Sequence, residues 1–378
     1  MQSVIVKQYS VKVYRIIIYK YFGIILLTLS TLSTFGAKDT STVNKSLSQF
    51  GAGVNISHFE QYWKSPDDIY KENISDKIKN IADKGFRTIR LPIAFDLFLQ
   101  PDGTTLQNDL IQRLKEILLL TYSLKIKLII TYHYGKLTDN NCENGEVDRI
   151  ISLWKQLQYI FKGNAYDELY FDLYNEPTLS EDKWKYSITK MVKDLRQEDS
   201  QRIYIVGGTD YNSENELMIL DKIQDNKLIY TFHYYEPFIF THQGAEWTSN
   251  RTKLTGLPFP YKRRRMPKML PEAKGTDTEK DYLKYSIEAD GEYIRDRMRQ
   301  IASYCAVHKM PVLCTEAGVI KDVDNTYRKR YFRALTSAFD EFKIHAVLWE
   351  YDQRFAIEGD NISVFSALRK WIRRSKKY

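Results

Sequence analysis

Downstream of residue 50, the chain alternates short apolar runs with longer stretches in which apolar residues recur at helical spacing. The short runs are typical of strands buried on both faces, and the longer stretches of amphipathic helices. Eight strands are predicted, at residues 50–56, 86–92, 126–133, 169–176, 202–207, 228–235, 310–316 and 345–351. A helix is predicted after each strand, and in the first of these Ile74, Ile78 and Ile81 share one face. Eight strand–helix repeats predict an α/β fold, a (β/α)8 or TIM barrel, formed by a single domain over residues 49–378.

One connection departs from this alternation. Residues 236–280 form a long insert without clear periodicity, and it contains five prolines. Long loops in compact domains are usually functional. Because the insert follows the end of the sixth predicted strand, we expect it to flank the carboxyl end of the barrel, where the active sites of this fold lie.

The amino-terminal residues have a different composition. Residues 1–37 combine four basic residues with the apolar run Phe22–Leu29 and small residues at Thr34 and Gly36, a pattern typical of a secretory signal. An uncleaved membrane anchor is the alternative, which the shortness of the run disfavours. Residues 38–48 are polar and predict a short tether. We therefore expect a secreted, periplasmic or cell-surface protein that meets a membrane only if the first segment is retained.

Charge and cysteine content exclude several classes of function. The net charge is +8, and four of these charges lie in the first 37 residues, which contain no acid, so the remainder carries 8 − 4 = +4. That value, and basic runs at 262–265 and 369–377 that are not interleaved with aromatics, predict no nucleic-acid partner. Three cysteines without a Cys-x-x-Cys pair predict neither a disulfide framework nor a zinc site.

Two of the predicted strands end on a glutamate. One strand runs into Asn175-Glu176-Pro177, where the proline stops strand pairing, and another runs into Glu316. A lone glutamate is most often a solvated loop residue, but the carboxyl ends of barrel strands gather at one face. The two strand-end glutamates therefore predict paired carboxyl chemistry, in which one acts as general acid and base and the other as nucleophile.

Further polar and aromatic residues stand at the ends of predicted strands, namely Arg90, His133, Asn175, His233, Tyr235 and Trp349. Each alone has an ordinary structural explanation, such as a salt bridge, a buried core histidine or a packed indole. Together they predict a site that cleaves glycosidic bonds, because one carboxyl must protonate the leaving oxygen while the other attacks the anomeric carbon.

Each of these residues has an expected part in that reaction. Arg90 and Tyr235 are expected to keep Glu316 ionised, and Glu176 is expected to carry the proton. Asn175 is expected to hold the sugar 2-hydroxyl, and Trp349 would offer a flat apolar face to the ring at the cleavage point.

Over about residues 48–375 the chain resembles glycoside hydrolase family 5, the cellulase-type family of the larger retaining (β/α)8 clan. The resemblance implies that Glu176, within its Asn-Glu-Pro motif, is the acid/base and that Glu316, within Thr-Glu-Ala-Gly, is the nucleophile. The family's other shared site positions match the six polar and aromatic strand-end residues. One position departs from the family pattern, since Thr131 stands two residues before His133, where the family often has an acid.

The resemblance also bears on the insert and on the substrate. The stretch 233–247 resembles the strand-six loop of a bacterial subgroup, which implies that His242 and Trp247 lie near the substrate. The family implies a retaining endo-β-glucanase that acts as a monomer on a polysaccharide, without metal or cofactor. A β-mannanase, a β-1,3-glucanase, a transglycosylase and a non-catalytic carbohydrate-binding barrel remain open as alternatives. Aromatic residues outside the shared set, such as Trp63 and Tyr134, are expected to line subsites if they face the cleft.

Overall fold

Eight parallel strands close into a barrel in the computed structural model, which describes residues 40–163, 168–248, 253–359 and 362–377. Consecutive strands are neighbours all the way round, and β1 pairs with β8 to close the sheet. The predicted (β/α)8 barrel is therefore confirmed. Residues 42–378 form one compact unit. The segment 1–37 interpreted as a secretory signal lies outside the described residues.

The barrel strands are all short and almost completely buried. They are β1 Ala52–Asn55, β2 Thr88–Ile93, β3 Lys127–Tyr132, β4 Leu169–Asp172, β5 Tyr204–Gly207, β6 Leu228–Tyr234, β7 Val312–Ala317 and β8 His345–Leu348. Burial on both faces explains why they appear in the sequence as continuous apolar runs rather than as alternating patterns. A separate hairpin, β9 Glu358–Gly359 and β10 Ile362–Ser363, follows β8.

Helices surround the sheet. They are α1 Thr40–Leu47, α2 Pro66–Lys71, α3 Ile74–Asp83, α4 Asn108–Ser123, α5 Val147–Ile160, α6 Glu181–Glu198, α7 Thr209–Asn212, α8 Glu214–Leu217, α9 Phe238–Thr241, α10 Asp277–Glu288, α11 Gly291–His308, α12 Asn325–Phe342 and α13 Phe365–Arg374. Short 3-10 turns lie at Phe95–Phe98, Arg263–Arg265, Pro271–Ala273 and Ser375–Lys377, and a π turn at Cys142–Glu146. None of the helices in these described ranges is long and apolar enough to cross a membrane.

Three elements differ from the pattern that the sequence predicts. The first predicted helix is two helices, α2 and α3, because Asn73 caps a new helix start by accepting from the backbone N–H groups of Ser75 and Asp76. Strand β4 ends at Asp172 rather than at Glu176, so the Asn-Glu-Pro motif lies in the loop beyond it. The insert predicted to be irregular contains the helical turn α9, and α10 begins within it at Asp277.

Residues 40–47 of the predicted tether form the helix α1. In α1, Val43 is fully buried and joins the apolar cluster inside the barrel, where Phe50, Ile129 and Leu313 are also found. The sequence of residues 38–48 is polar because a single valine with the neighbouring Leu47 supplies all the apolar contact, which is too little to produce a helical pattern. The helix thus fills the interior at the end remote from the strand-end polar residues.

We expect Val43→Asp to lower the free energy of unfolding by about 3 kcal/mol, because it places an unpaired carboxylate in the apolar cluster. The measurement is urea unfolding followed by fluorescence. Asn44→Asp is the matched control, since Asn44 is exposed on the same helix and should change the stability by less than about 0.5 kcal/mol. Equal stability of both variants would contradict a structural role for α1.

Candidate active site

Arg90, on β2, is the centre of the polar cluster at the carboxyl end of the barrel. It is completely buried, and it donates to a Glu316 oxygen at 2.6 Å, to Asn175 Oδ1 at 2.7 Å and to Asp172 Oδ2 at 2.8 Å. A fourth donor bond reaches Asn55 Oδ1 at 3.0 Å. The guanidinium presents its donors in a rigid planar fork, so one side chain can orient partners from several strands at once.

Buried carboxylates compensate the buried charge of Arg90. Asp172 is 1% exposed, and burial raises its pKa, whereas the charge of Arg90 acts to lower it. Thr131, the position without the expected acid, is paired in register with Asp172 across β3 and β4. A carboxylate, that of Asp172, thus stands on the neighbouring strand directly beside Thr131.

The two predicted glutamates converge on one point. One oxygen each of Glu176 and Glu316 and one nitrogen of His233 all lie within 4.8 Å of one another. His233 Nδ1 is 2.9 Å from Glu176 Oε1 and 3.7 Å from Glu316 Oε2. The Tyr235 hydroxyl donates to Glu316 Oε2 at 2.8 Å. The structure therefore brings together residues from β6, β7 and the loop after β4, as the strand-end pattern predicts.

The environments of the two carboxyls differ. Burial raises the pKa of Glu176 to about 7, while the charge of Arg90 acts in the opposite direction. Burial also raises the pKa of Glu316, but His233, Arg90 and the Tyr235 hydroxyl all act to lower it. Only Glu316 is in direct contact with Arg90, so the negative charge of the pair is best placed on Glu316 and the proton on Glu176.

His233 and Tyr235 hold fixed protonation states around this pair. Burial lowers the pKa of His233 to about 4, so the ring is neutral near pH 7. Because its Nδ1 faces carboxyl oxygens, we assign the ring hydrogen to that atom. Burial raises the pKa of Tyr235 well above its ordinary value, so its hydroxyl keeps the proton that it donates to Glu316.

Glu176 reaches the site from an unusual backbone conformation. Its φ is 50°, in the left-handed region, and its backbone N–H donates to Asn212 Oδ1 at 2.6 Å. Its side chain is 32% exposed, whereas that of Glu316 is 4% exposed. Glu176 is therefore the carboxyl that an incoming molecule can reach from solvent, although its acid group lies deep among neighbouring atoms.

Trp349 and His133 form one wall of the site. Their rings are stacked, with centroids 5.5 Å apart and planes 4° from parallel. His133 is buried, and burial together with the charge of Arg90 holds its pKa well below the ordinary value. Trp349 follows β8 and is partly exposed. His133 stacks on one face of its indole. Both predicted residues therefore belong to the site.

Exposed aromatic rings continue outward from this wall. Tyr134 contacts His133, with ring centroids 4.5 Å apart, and it also contacts Tyr62 at 4.9 Å. Tyr62 contacts Trp63 at 5.3 Å. Tyr62, Trp63 and Tyr134 are all about half exposed or more, and we call these three rings the aromatic shelf. The shelf extends the flat apolar surface of the site across the loops after β1 and β3.

The structure places His242 and Trp247 differently from each other. His242 is buried behind Tyr235, with ring centroids 5.0 Å apart, and burial lowers its pKa to about 3. It therefore packs against the tyrosine whose hydroxyl donates to Glu316. Trp247 is 56% exposed and packs near Phe355 at 6.4 Å, where it is accessible to a ligand. Both residues belong to the start of the long insert, which thus borders the strand-end cluster.

Sequence reasoning missed three residues of this site, namely Asn55, Asp172 and Asn212. Asp172 was visible as the lone carboxylate in an otherwise apolar strand. Asn55 ends β1, so the strand-end rule that found Arg90 could also have found it. Asn212 lies after β5 in a turn that has no sequence signal for its position, and its contact with Glu176 spans 36 residues.

The same geometry offers ligand atoms for a cation. Glu176, His233 and Glu316 could each supply one donor atom to a metal ion. The guanidinium of Arg90, 2.6 Å from Glu316, would repel a second positive charge there. The donor set therefore fits an acid/base pair better than a resident metal ion.

Comparison with known proteins supplies a family. A sequence model of "Cellulase (glycosyl hydrolase family 5)" matches residues 47–354. Endoglucanase 3 of Fibrobacter succinogenes is 26% identical over 338 residues, which cover 83% of this chain and 51% of that protein, so the chain spans about half the length of this relative. Endoglucanase C of Acetivibrio thermocellus is 26% identical over 331 residues, covering 80% of this chain and 91% of the relative.

Solved structures show the same fold. The endoglucanase Cel5A from the hyperthermophilic Thermotoga maritima superposes with a TM-score of 0.70 at 20% identity, and the match covers 88% of this chain and 99% of that one.

We expect Arg90→Met to lower the free energy of unfolding by about 3 to 5 kcal/mol at pH 7, because it leaves buried carboxyls without their cation. The loss should be smaller at pH 4. Burial raises the folded-state pKa of both Asp172 and Glu316, so without Arg90 both become neutral at low pH and cost less to bury. Arg113→Met, at an exposed ion pair, is the control for denaturant unfolding at the two pH values. Equal losses at both would contradict the ion-pair account.

Proposed function

The chain belongs to glycosyl hydrolase family 5, a family of O-glycosyl hydrolases, and on this premise we propose that it is a retaining endo-β-glucanase. Its reaction is a double displacement on β-1,4-linked glucan, with Glu316 as nucleophile and Glu176 as acid and base. The substrate side of the proposal draws on the relatives, which are named endoglucanases. The mechanistic side rests on the geometry of the two glutamates.

The observation that carries the mechanism is the separation of the carboxyls. Retaining glycosidases hold their two carboxyl groups about 5 to 5.5 Å apart, whereas inverting enzymes need about 6.5 to 9.5 Å to admit a water molecule. Oxygens of Glu176 and Glu316 lie within 4.8 Å of each other. That distance suits direct attack by one carboxylate on the sugar and is shorter than the separation that inverting enzymes use.

The two steps follow from the proton and charge distribution. In the first step Glu316 attacks the anomeric carbon, and Glu176 gives its proton to the leaving oxygen, so a covalent glycosyl ester and a free sugar end are formed. In the second step Glu176, now ionised, takes a proton from water, which attacks the same carbon and releases Glu316 as carboxylate. Arg90 and Tyr235 stabilise the carboxylate form of Glu316 at both ends of this cycle.

Asn175 and the aromatic rings fit the proposed substrate. Arg90 donates to the Asn175 oxygen, which leaves the amide N–H groups of Asn175 available to a sugar hydroxyl. Flat rings suit the axial C–H faces of β-linked glucose units, and the stacked wall of His133 and Trp349 continues into the aromatic shelf. An exposed shelf that runs outward from the reaction centre suits a long chain rather than a single sugar.

We expect the protein to release reducing ends from barley β-glucan and carboxymethyl cellulose, and less from glucomannan, laminarin and xyloglucan. The first product detected by proton NMR should be the β-anomer, because two inversions restore the configuration. Glu316→Gln should lower the rate at least about 10³-fold, while Glu341→Gln, at an exposed site, should not change it. An α-anomer formed first, or normal turnover by Glu316→Gln, would overturn the mechanism. Activity on mannan but not on glucan would change the substrate class alone.

The pH profile tests the role of Glu176. Burial raises its pKa to about 7, and the acid form is needed in the first step, so kcat/KM for phenyl β-cellobioside should fall as the pH rises through about 7. This basic limb should be absent for 2,4-dinitrophenyl β-cellobioside, whose leaving group needs no proton. Glu176→Ala should lose the limb with phenyl β-cellobioside. With 2,4-dinitrophenyl β-cellobioside, whose first step needs no acid, added azide should speed turnover of this variant by attacking the glycosyl ester and give β-cellobiosyl azide. An unchanged limb in Glu176→Ala would exclude Glu176 as the acid.

A further inference from the structure

The turn after β5 has a backbone that few sequences adopt. Asp210, Tyr211 and Asn212 have φ values of 45°, 59° and 56°, all in the left-handed region that crowding of Cβ disfavours. Glu176, on the neighbouring loop, has φ 50°. Such conformations persist only where surrounding contacts over-determine them, and they gather at active sites. The contacts between these two loops therefore need a functional explanation.

Several hydrogen bonds join the turn to the loop that carries Glu176. The Tyr211 N–H donates to the Pro177 carbonyl at 3.2 Å, and the Thr209 hydroxyl donates to the carbonyl of Leu179. The shortest bond with a backbone N–H donor in this set runs from Glu176 to Asn212 Oδ1, at 2.6 Å.

The turn also reaches the histidine beside the acid. Ser213, the next residue along, forms an isolated parallel bridge with His233. His233 in turn contacts the Glu176 carboxyl through Nδ1. The turn thus contacts both the backbone of Glu176 and the residue that its carboxyl meets.

The side chain of Asn212 is committed to this one contact. It is 1% exposed, and because its partner is an N–H group, the amide oxygen must face Glu176. Its Nδ2 has no hydrogen-bond partner within the described ranges. That atom packs on Gly207, where an added Cβ would lie 1.8 Å away. Packing against a glycine, rather than a second hydrogen bond, therefore holds the amide in place.

We propose that Asn212 is a positioning residue for acid catalysis, which holds the backbone of Glu176 in its left-handed conformation through the peptide N–H. The inference rests on the proposed role of Glu176 as acid and base. Asn212 acts through Glu176, not on the reacting atoms. Proton transfer requires the carboxyl within hydrogen-bonding reach of the leaving oxygen, so relaxation of this backbone would slow the step that needs the proton.

The test compares two leaving groups in Asn212→Ala. We expect kcat/KM for phenyl β-cellobioside, which needs a proton on its leaving oxygen, to fall about 10- to 100-fold. For 2,4-dinitrophenyl β-cellobioside, which needs none, it should fall less than about threefold, because nucleophilic attack by Glu316 is untouched. A general structural defect would lower both values by the same factor, so the ratio separates positioning from stability.

Three further variants keep the test independent of how well Asn212→Ala folds. Gly207→Ala pushes a methyl group into the amide and should give the same unequal fall. Asn212→Asp keeps an acceptor for the Glu176 N–H and should recover most of the lost ratio. Asn73→Ala removes the side chain that caps α3 at the Ser75 and Asp76 N–H groups, so it should lower the melting temperature and leave the ratio unchanged.

The outcomes distinguish this proposal from the proposed function. An equal fall on both substrates in Asn212→Ala and Gly207→Ala, with an active wild type, would overturn the positioning role alone. A wild type that cleaves neither cellobioside nor β-glucan would overturn the proposed function, and the positioning role with it. An unequal fall in both variants, with recovery in Asn212→Asp, supports the proposal.

Discussion

The burial of one guanidinium is the constraint on which the site depends. A fully buried cation is tolerated only when its partners satisfy it, and Arg90 takes those partners from β1, from β4 and the loop beyond it, and from β7. No local segment could supply them, because Glu316 is 226 positions away along the chain. Closure of the barrel is therefore what makes the buried charge tolerable, and the charge in turn orients Glu316 and Asn175.

The protein gives its two converging glutamates different surroundings. Glu316 lies on a strand, is almost completely buried, and receives Arg90 and the Tyr235 hydroxyl directly. Glu176 lies on a loop, is a third exposed, and its carboxyl contacts the neutral ring of His233. Contact with a cation favours the ionised form, and burial without such contact favours the protonated form. Two different protonation states thus arise from identical side chains whose oxygens lie within 4.8 Å of each other.

How much of this site could be predicted from the sequence depends on where each residue lies relative to its strand. Arg90, Glu316 and Tyr235 end apolar runs, and because strand ends meet at one face of a barrel, their neighbourhood could be predicted without coordinates. Asp172 was not predicted as a site residue. A carboxylate inside an apolar run looks like an interruption of the strand, and its partner Arg90 is distant in the sequence. Helix α1 was not predicted because Val43, with Leu47, makes its contact with the apolar cluster, and two apolar residues do not form a helical pattern. The packing of His242 against Tyr235 could not be predicted, because spacing along the chain does not encode such a tertiary contact.

Some of the buried polar atoms without partners lie close to the two glutamates. Within the described residues, these include Nε2 of His233, Nδ1 of His133 and Nδ2 of Asn212. Each such atom costs stability, and folded proteins keep few of them. Left-handed backbone at Glu176 and in the turn after β5 adds to that cost in the same region. The rest of the barrel satisfies its backbone through parallel pairing and a continuous apolar core, so it can hold a region that is locally unfavourable. Left-handed backbone beside one pair of carboxyls suits a preorganised site, because groups fixed before the substrate arrives need not reorganise during the reaction.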